Sequence, residues 1–246
     1  MLIIYTCITG NYDDLIPQPS YEGVKYICFS DSINKSQYHN WEIFPIPSLE
    51  INQPNLINRH LKALHYNLDF NSNISMYIDG NVLIKSNPTS MVRQFEESAA
   101  SIAAFKHPHR ENIMQEFEEL ISTQKLTQLE IKKTFKLLES MKAEGYDFTP
   151  LLSAGYIILR RHDDHVLKIA LREWLDIILN ECKRDQMSLQ FVLWKHGITM
   201  KYLDDFIDPH LFFSRYDHGI YSKYLPRELQ DLFKKIKSKI VSIFKK

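Results

Sequence analysis

The sequence has no apolar run of about 20 residues, the length that a helix needs to cross a bilayer, so no membrane-spanning segment is expected. Glycine and proline are also scarce, with 7 and 10 copies in 246 residues. This composition excludes fibrous and low-complexity chains, which are rich in both. The formal net charge is zero. The basic surface of nucleic-acid-binding domains is therefore absent, and no nucleic-acid partner is expected.

Cysteine is scarce too, and its 3 copies share no metal-ligand spacing. Cys7 and Cys28 stand in apolar, strand-like runs, and Cys182 is remote from both. Buried free thiols in a reducing compartment are therefore expected, which favours the cytoplasm. The first ten residues, MLIIYTCITG, are apolar but contain no basic residue and no cleavage site. They are typical of a first β-strand rather than of a signal peptide.

Hydrophobic residues make up 44% of the chain, enough for a large core. Strand-like and helix-like patterns alternate, which predicts an α/β fold with a mostly parallel mixed sheet flanked by helices. The predicted strands are residues 2–8, 24–29, 42–46, 75–84, 101–105, 153–159 and 198–203. The predicted helices are residues 56–66, 91–98, 111–144 with at least one break, 165–181 and 184–195. No linker divides this region, so one domain over residues 1–224 is predicted, followed by a tail over 225–246.

Polar residues cluster where the predicted strands end. In open α/β sheets, ligands bind outside the carboxyl ends of the strands. Thr6, Thr9 and Tyr12 lie at or just after the end of the first strand, and Asp31 follows the second. The sequence contains neither a Walker A segment nor a G-x-G-x-x-G segment, so P-loop and Rossmann dinucleotide sites have no support.

The stretch YIDGNVLI places a carboxylate and a carboxamide inside an apolar run. In a regular strand Asp79 and Asn81 would point to the same side, and Gly80 would allow a substrate to approach closely. Two oxygen ligands on one side predict a site for Mg²⁺ or Mn²⁺ that also binds phosphate oxygens. Asp-Gly-Asn is also a good hairpin connection, and this segment alone gives the two interpretations equal weight.

These segments resemble glycosyltransferases of the GT-A fold. The region around IDGN is similar to their D-x-D region, where acids after a buried strand hold Mn²⁺ and the diphosphate of a nucleotide sugar. YTCITGNYDDL, CFSD, NRHLK, YIDGNVLI, HPHREN, GYIILRRH and RDQMSL follow one another as in a glycosyltransferase-like family of bacterial polysaccharide loci and plant Golgi proteins. A more distant resemblance is to glycosyltransferase family eight, the glycogenin and bacterial galactosyltransferase group.

The resemblance implies a nucleotide-sugar donor, with UDP-sugars foremost, and assigns residues to it. The implied donor-binding residues are Thr6, Thr9, Tyr12, Asp31, Arg59, Lys62, Asp79, Ser153 and Gly155. Judged from the residues alone, Asp31 is equally suited to an Asx turn. A solvated helix face is the usual place of a pair such as Arg59 and Lys62, and the resemblance favours a function for Arg59 more than for Lys62.

The resemblance also implies a divalent cation, Mn²⁺ or Mg²⁺, held by Asp79, Asn81 and His218. Asn81 stands where the D-x-D motif has its second acid, so metal dependence stays open. Ser153 stands where family eight has an asparagine, which leaves the choice of donor open as well.

Asp185 and Gln186 are the implied catalytic residues, beside the anomeric carbon of the donor sugar. Asp185 would hold sugar hydroxyls or act as the base of an inverting reaction. Gln186 would stabilise an oxocarbenium-like state through its carbonyl oxygen. As an acid at the start of a predicted helix, Asp185 is also a candidate helix cap. Inversion and retention both stay open, and the likeness to family eight favours retention.

A basic cluster of His107, His109 and Arg110 follows the fifth predicted strand. Pro108 interrupts the His-x-His spacing, and no third metal ligand stands nearby in the sequence. Acceptor or phosphate binding is therefore preferred to a metal site. Loop histidines without a function are the alternative.

Together these features predict a hexosyltransferase that moves a sugar from a nucleotide sugar to a glycan or lipid-linked glycan acceptor in surface polysaccharide synthesis. A nucleotidyltransferase is the alternative enzyme, but the segment TCITGNYDDL has only one of the glycines that its phosphate loop requires. A carbohydrate- or nucleotide-binding domain with a degenerate metal site is the non-enzymatic alternative, which Asn81 keeps open.

Residues 226–246 carry seven basic side chains against two acidic ones. Their apolar residues recur at helical spacing, which predicts a basic amphipathic helix suited to an anionic membrane surface. A peripheral position on the inner face of the membrane is therefore expected. A helix packed on the domain, or a contact between two copies of the chain, is the alternative.

Overall fold

The computed structural model describes residues 1–64, 68, 70 and 72–218, and the structural statements below concern these residues. Their strands are β1 (Leu2–Ile8), β2 (Val24–Ser30), β3 (Gln37–Tyr38), β4 (Trp41–Phe44), β5 (Ile74–Ile78), β6 (Val82–Ile84), β7 (Ile102–Lys106), β8 (Ser153–Arg161), β9 (Lys201–Tyr202) and β10 (Phe213–Arg215). Their helices are α1 (Pro54–Ala63), α2 (Thr89–Glu97), α3 (Ile113–Ser122), α4 (Gln128–Ala143), α5 (His165–Asn180), α6 (Leu189–Lys195) and α7 (Pro209–Phe212). Short 3₁₀ turns lie at Asp185–Met187 and Leu203–Asp205.

Side-chain caps fix where three of the helices begin. Asn112 and Asp164 accept hydrogen bonds from the first turns of α3 and α5. Thr127 and Glu130 form a capping box at the start of α4. These side chains satisfy N–H groups that have no partner inside the helix. The predicted break within residues 111–144 is confirmed, and it lies just before the capping box.

Eight strands form one mixed sheet in the order β3-β4-β2-β1-β5-β8-β7-β9, and β6 pairs with β10 in a separate two-stranded sheet. β1 pairs in parallel with β2 and β5, whereas β8 lies antiparallel between β5 and β7. β1 is buried along its whole length, as expected for a central strand covered on both faces. The predicted α/β class, with helices flanking a mixed sheet, is confirmed.

The two faces of this sheet bury separate hydrophobic layers. Alternate residues of β1 point to opposite faces. Tyr5 packs in one layer with Leu61 of α1 and Leu171 of α5. Ile4 packs in the other layer with Phe95 of α2. Because both faces are filled with apolar side chains, an open polar site has room only beyond the ends of the strands.

The apolar run over residues 75–84 departs most clearly from the sequence prediction. One continuous strand was predicted there, but β5 ends before Asp79 and β6 begins after Asn81. β5 pairs with β1 and β8, whereas β6 pairs with β10. The hairpin interpretation is therefore wrong. The Asp-Gly-Asn turn instead carries the chain from the large sheet to the small one.

Further expectations concern the cysteines, the last predicted strand, the tail and membrane-spanning helices. All three cysteines are buried and free, as predicted. Residues 198–203 contain only the short strand β9 and part of a 3₁₀ turn. The predicted helix over residues 225–246 lies outside the described residues. Within the described part of the chain, no helix combines the length and the apolarity that crossing a bilayer requires.

Buried Gln18 ties β6 to the loop after β1. Its Nε2 donates to the carbonyl oxygens of Val82 (2.8 Å) and Ile16 (3.2 Å), and its Oε1 accepts from the Ile84 N–H (3.0 Å). Gln18→Ala should lower the free energy of unfolding by about 2 kcal/mol, because buried backbone groups lose their partners. Urea denaturation measures this change. The exposed Gln37→Ala should cost less than about 0.5 kcal/mol, and equal effects of the two substitutions would contradict the assignment.

Candidate active site

The residues predicted from the sequence meet along one edge of the large sheet, the edge formed by the carboxyl ends of its parallel strands. β1, β2, β5 and β7 end at this edge, and β8 begins there because it runs in the opposite direction. The residues at or next to these strand ends are Thr9, Asp31, Asp79, His107 and Ser153. The sheet topology therefore gathers polar residues that are far apart in the sequence.

Helix α1 brings two cations to this edge. Arg59 and Lys62 are three residues apart, so they project from the same face of the helix. The Lys62 Nζ lies 2.6 Å from Asp185 Oδ2, and the Arg59 Nε lies 3.7 Å from Oδ1 of the same carboxylate. The Lys62 side chain is only 2% exposed. The solvated-face interpretation is therefore wrong for Lys62.

Asp185 stays ionised at neutral pH. Burial alone would raise the pKa of this carboxyl group, but the charges of Arg59 and Lys62 and the hydrogen bond from Lys62 hold the pKa below its ordinary value. The Arg59 pKa responds in the opposite sense: burial would lower it, but the Asp185 charge raises it. Asp185 is thus a hydrogen-bond acceptor rather than a proton donor.

The 3₁₀ turn that carries Asp185 is fixed from two sides. Trp174 Nε1 donates to the Asp185 carbonyl oxygen (2.9 Å), and Gln186 Nε2 donates to the Ser153 carbonyl oxygen (3.0 Å). The Asp185 carboxylate accepts from Lys62 rather than from the start of a helix. The helix-cap interpretation of Asp185 is therefore wrong.

Gly155 of β8 faces the ion pair. A Cβ atom at this position would lie 3.1 Å from Lys62 Nζ and 3.2 Å from Asp185 Oδ2. A side chain here would make both of these atoms shift by a few tenths of an ångström. Glycine at this predicted donor-binding position therefore leaves the closest approach to the ion pair open.

Asp79 follows β5 and has a side chain that is 30% exposed. Its Oδ1 accepts from the Tyr77 hydroxyl (2.9 Å) and lies 3.9 Å from Lys62 Nζ. That ammonium lies over the Tyr77 ring, 5.0 Å from its centroid. The Tyr77 hydroxyl is also 3.4 Å from Asn58 Oδ1. Sequence reasoning missed Tyr77 and Asn58, although the two-residue strand period places Tyr77 and Asp79 on one side.

Asn81 decides whether a cation fits beside Asp79. Its Nδ2 donates to the Tyr216 carbonyl oxygen (2.6 Å), while its Oδ1 is buried without a hydrogen-bond partner among the described residues. An unpaired buried oxygen is costly, and a hard cation would satisfy it. The Asp79 carboxylate and the Asn81 carboxamide are thus oxygen ligands of the kind that a divalent cation prefers. Within the described ranges, no three histidine, cysteine, aspartate or glutamate side chains are grouped to hold a metal.

His218 contacts Asp13 beside this turn. The His218 Nδ1 lies 3.0 Å from both carboxylate oxygens of Asp13. Its ring packs against the Tyr12 ring, with centroids 4.8 Å apart. Asp13 also approaches the turn, since a Cβ atom on Gly80 would lie 3.6 Å from the Asp13 Cβ. Asp13 thus joins the candidate residues, and metal ligation by His218 stays a prediction.

The other predicted nucleotide contacts are Thr6 within β1, Thr9 in the loop after β1, and Asp31 after β2. Thr6 is fully buried within β1, and its Oγ1 has no partner among the described residues, so it lies beneath the edge. Thr9 donates to the Pro54 carbonyl oxygen (2.8 Å) at the start of α1. The Asp31 carboxylate accepts from the Gly10 N–H (2.9 Å). This long-range bond takes the place of the local Asx turn.

The loop after β7 makes its own internal contacts. The His107 Nδ1 accepts from the N–H groups of His109 (3.2 Å) and Arg110 (3.0 Å). Burial lowers the His107 pKa to about 3, and the charge of Arg110 acts in the same direction. A neutral His107 therefore holds the turn together. Arg110 pairs with the buried Glu116. Burial raises the pKa of Glu116, and the charge of Asp185 acts in the same direction. The loop thus lies near the ion pair.

The family model of the TOD1/MUCI70 glycosyltransferase-like domain matches residues 1–208. The chain belongs to this family. The resemblance inferred from the ordered motifs is confirmed, and the chain carries a glycosyltransferase-like domain. Of the site residues described above, Tyr216 and His218 lie outside the matched part, and the others fall within it.

Solved glycosyltransferases are similar to this family member at low sequence identity. Mouse xyloside xylosyltransferase 1 is 8% identical with a TM-score of 0.45, over 82% of this chain and 83% of that one. GlyE of Streptococcus pneumoniae TIGR4 is 8% identical with a TM-score of 0.44, over 83% of this chain and 45% of that one. The galactosyltransferase LgtC is 11% identical with a TM-score of 0.42, over 81% of this chain and 73% of that one. No curated protein matches the sequence.

Asp185→Asn would leave the buried Lys62 and the partly buried Arg59 without their carboxylate. The free energy of unfolding should fall by about 3 kcal/mol at neutral pH, as when one partner of a buried ion pair is removed. The folded-state pKa of Asp185 lies below its unfolded value, which is about 4. Its stabilising contribution is therefore complete above about pH 4 and is lost as the pH falls towards the folded-state pKa. The stability difference between wild type and variant should shrink over that range.

Urea denaturation at neutral pH and at lower values down to about pH 3 measures this difference. Asp176→Asn is the matched control, because Asp176 is exposed on α5. The control should stay within about 0.5 kcal/mol of the wild type at neutral pH. Equal stability of wild type and Asp185→Asn at neutral pH would contradict a stabilising ion pair.

Proposed function

We propose that this enzyme transfers a sugar from a nucleotide sugar, with UDP-sugars foremost, to a glycan or lipid-linked glycan acceptor in surface polysaccharide synthesis. The observation that carries the proposal is the buried pair of Lys62 and Asp185 beside the partly exposed carboxylate of Asp79. Breaking the bond between sugar and diphosphate leaves negative charge on the diphosphate. Cations already fixed at that position stabilise the charge as it develops.

On the diphosphate side, Arg59 and Lys62 supply fixed positive charge. A divalent cation, Mn²⁺ or Mg²⁺, bound by Asp79 and Asn81 would neutralise further charge on the departing phosphates. The unpaired Asn81 Oδ1 supports this part of the proposal. His218 is the third proposed ligand, and its Nδ1 would have to leave Asp13 to take this role.

On the sugar side, the low pKa of Asp185 bears on its role. A carboxylate with a lowered pKa is a weak general base, so we assign Asp185 to holding sugar hydroxyls. Gln186 commits its Nε2 to the Ser153 carbonyl oxygen, which leaves its Oε1 to face positive charge that develops at the anomeric carbon. The likeness to family eight supports a retaining reaction. His109 and Arg110, in the loop near Asp185, are proposed to bind the acceptor.

Calorimetric titration with UDP and several UDP-sugars, with and without Mn²⁺, tests the donor side. The wild type should bind UDP more tightly with Mn²⁺. Asp79→Ala should lose at least about tenfold in affinity, equivalent to about 1.4 kcal/mol, whereas Asp176→Ala should bind as the wild type does. The absence of nucleotide binding by the wild type would refute the proposed donor class.

Turnover separates the enzyme from its non-catalytic alternative. Release of UDP from a bound UDP-sugar, in the presence of glycan or water as acceptor, should be slowed by Asp185→Asn. A domain with a degenerate metal site, which the carboxamide of Asn81 favours, would bind the nucleotide sugar without releasing UDP. Formation of a UDP-sugar from UTP and a sugar 1-phosphate, with release of pyrophosphate, would instead indicate a nucleotidyltransferase.

We further propose that residues 226–246 hold the enzyme at the inner, anionic face of the membrane. Their seven basic and two acidic side chains support this placement. Co-sedimentation with anionic liposomes should fall when the chain ends at Tyr224. A full-length variant with Gln at the exposed α4 positions Lys132, Lys133 and Lys136 should sediment as the wild type does. Equal binding of the full and shortened chains would refute this proposal.

A further inference from the structure

Arg160 of β8 is a buried cation outside the ion pair described above. The residue is fully buried, and no carboxylate within the described ranges pairs with its guanidinium. Burial lowers the Arg160 pKa, and the interaction with the Tyr5 hydroxyl raises it in part. Burying an unpaired charge costs several kcal/mol. Such a residue needs a compensating interaction at this position.

That interaction is the carboxyl end of α1. The last carbonyl groups of a helix have no partner inside it and carry partial negative charge. Arg160 donates to the Lys62 carbonyl oxygen and to the Tyr5 hydroxyl. The Tyr5 hydroxyl donates in turn to the Leu61 carbonyl oxygen (3.3 Å). Arg160 of β8 and Tyr5 of β1 therefore cap the end of α1 from two strands of the sheet.

The carbonyl that Arg160 binds belongs to the residue whose side chain reaches Asp185. The 2.6 Å contact between Lys62 Nζ and Asp185 Oδ2 tolerates little rotation of the last turn of α1. We propose that Arg160 is a positioning residue that fixes this turn, so that Lys62 meets Asp185 and Asp79. Its effect on donor binding rests on the proposed function, whereas its effect on the ion pair does not.

Arg161 offers a matched control in the next position of β8. Its guanidinium also binds carbonyl oxygens, those of Ala100 (2.9 Å) and Glu96 (2.6 Å). Neither carbonyl belongs to α1. Arg160→Gln and Arg161→Gln thus remove the same kind of contact, but only the first loosens the helix that carries Lys62.

The ion pair can be observed without any ligand. A buried, ion-paired ammonium exchanges its protons slowly and gives a ¹H–¹⁵N correlation, which Lys62→Met would assign by removing it. Arg160→Gln should shift or abolish this signal, whereas Arg161→Gln should leave it in place. If Arg160→Gln does not fold, Arg160→Lys replaces it, because lysine cannot reach both the carbonyl and the hydroxyl. An unchanged Lys62 signal in a folded Arg160 variant would overturn the proposal.

UDP affinity gives the functional readout. Arg160→Gln should weaken UDP binding about tenfold, as loss of a residue supporting a binding group commonly does. In the Lys62→Met background the same substitution should weaken binding no further, since both act through one group. Fully additive losses would overturn the link through Lys62. If the wild type binds no UDP, the proposed function fails, and the ammonium signal alone decides the role of Arg160.

Discussion

The buried ion pair between Lys62 and Asp185 is the constraint on which the rest of the site depends. Two charges removed from water are tolerated only when they meet closely, because either one alone would cost several kcal/mol. The last turn of α1 carries Lys62 to the pair, Gly155 leaves space beside it, and Trp174 holds the turn that carries Asp185. Elements from three distant parts of the sequence are thereby held in one geometry.

The same constraint explains how the site prepares for chemistry. Its cations and carboxylates are already oriented by packing, so little reorganisation is needed when charge develops on a departing group. The lowered pKa of Asp185 keeps it ionised and suits it to holding hydroxyls rather than to accepting a proton. Asp79, which is more exposed and lies 3.9 Å from the same ammonium, is the carboxylate of the two that is open to solvent.

The sequence predicted the sheet and its ligand-binding edge because both follow from local patterns. Alternating strands and helices imply strand ends that share one edge, and Asp79 and Asp31 lie at such ends. The separation of β6 from β5 was missed, because its partner β10 lies more than a hundred residues further along the chain. Arg160 was missed for a related reason. Two arginines at the end of an apolar run give no sign of which one is covered, and only the packing of α1 decides it.

Charge balance would link the two halves of the proposed donor site. Arg59 and Lys62 carry two positive charges, and Asp79 and Asp185 carry two negative charges, so these four side chains sum to zero. A divalent cation alone would add two positive charges close to the Lys62 ammonium, and a diphosphate alone would add about two negative charges close to two carboxylates. The charges of cation and diphosphate would cancel, so under the proposed function each should raise the affinity for the other, by the same factor in each direction.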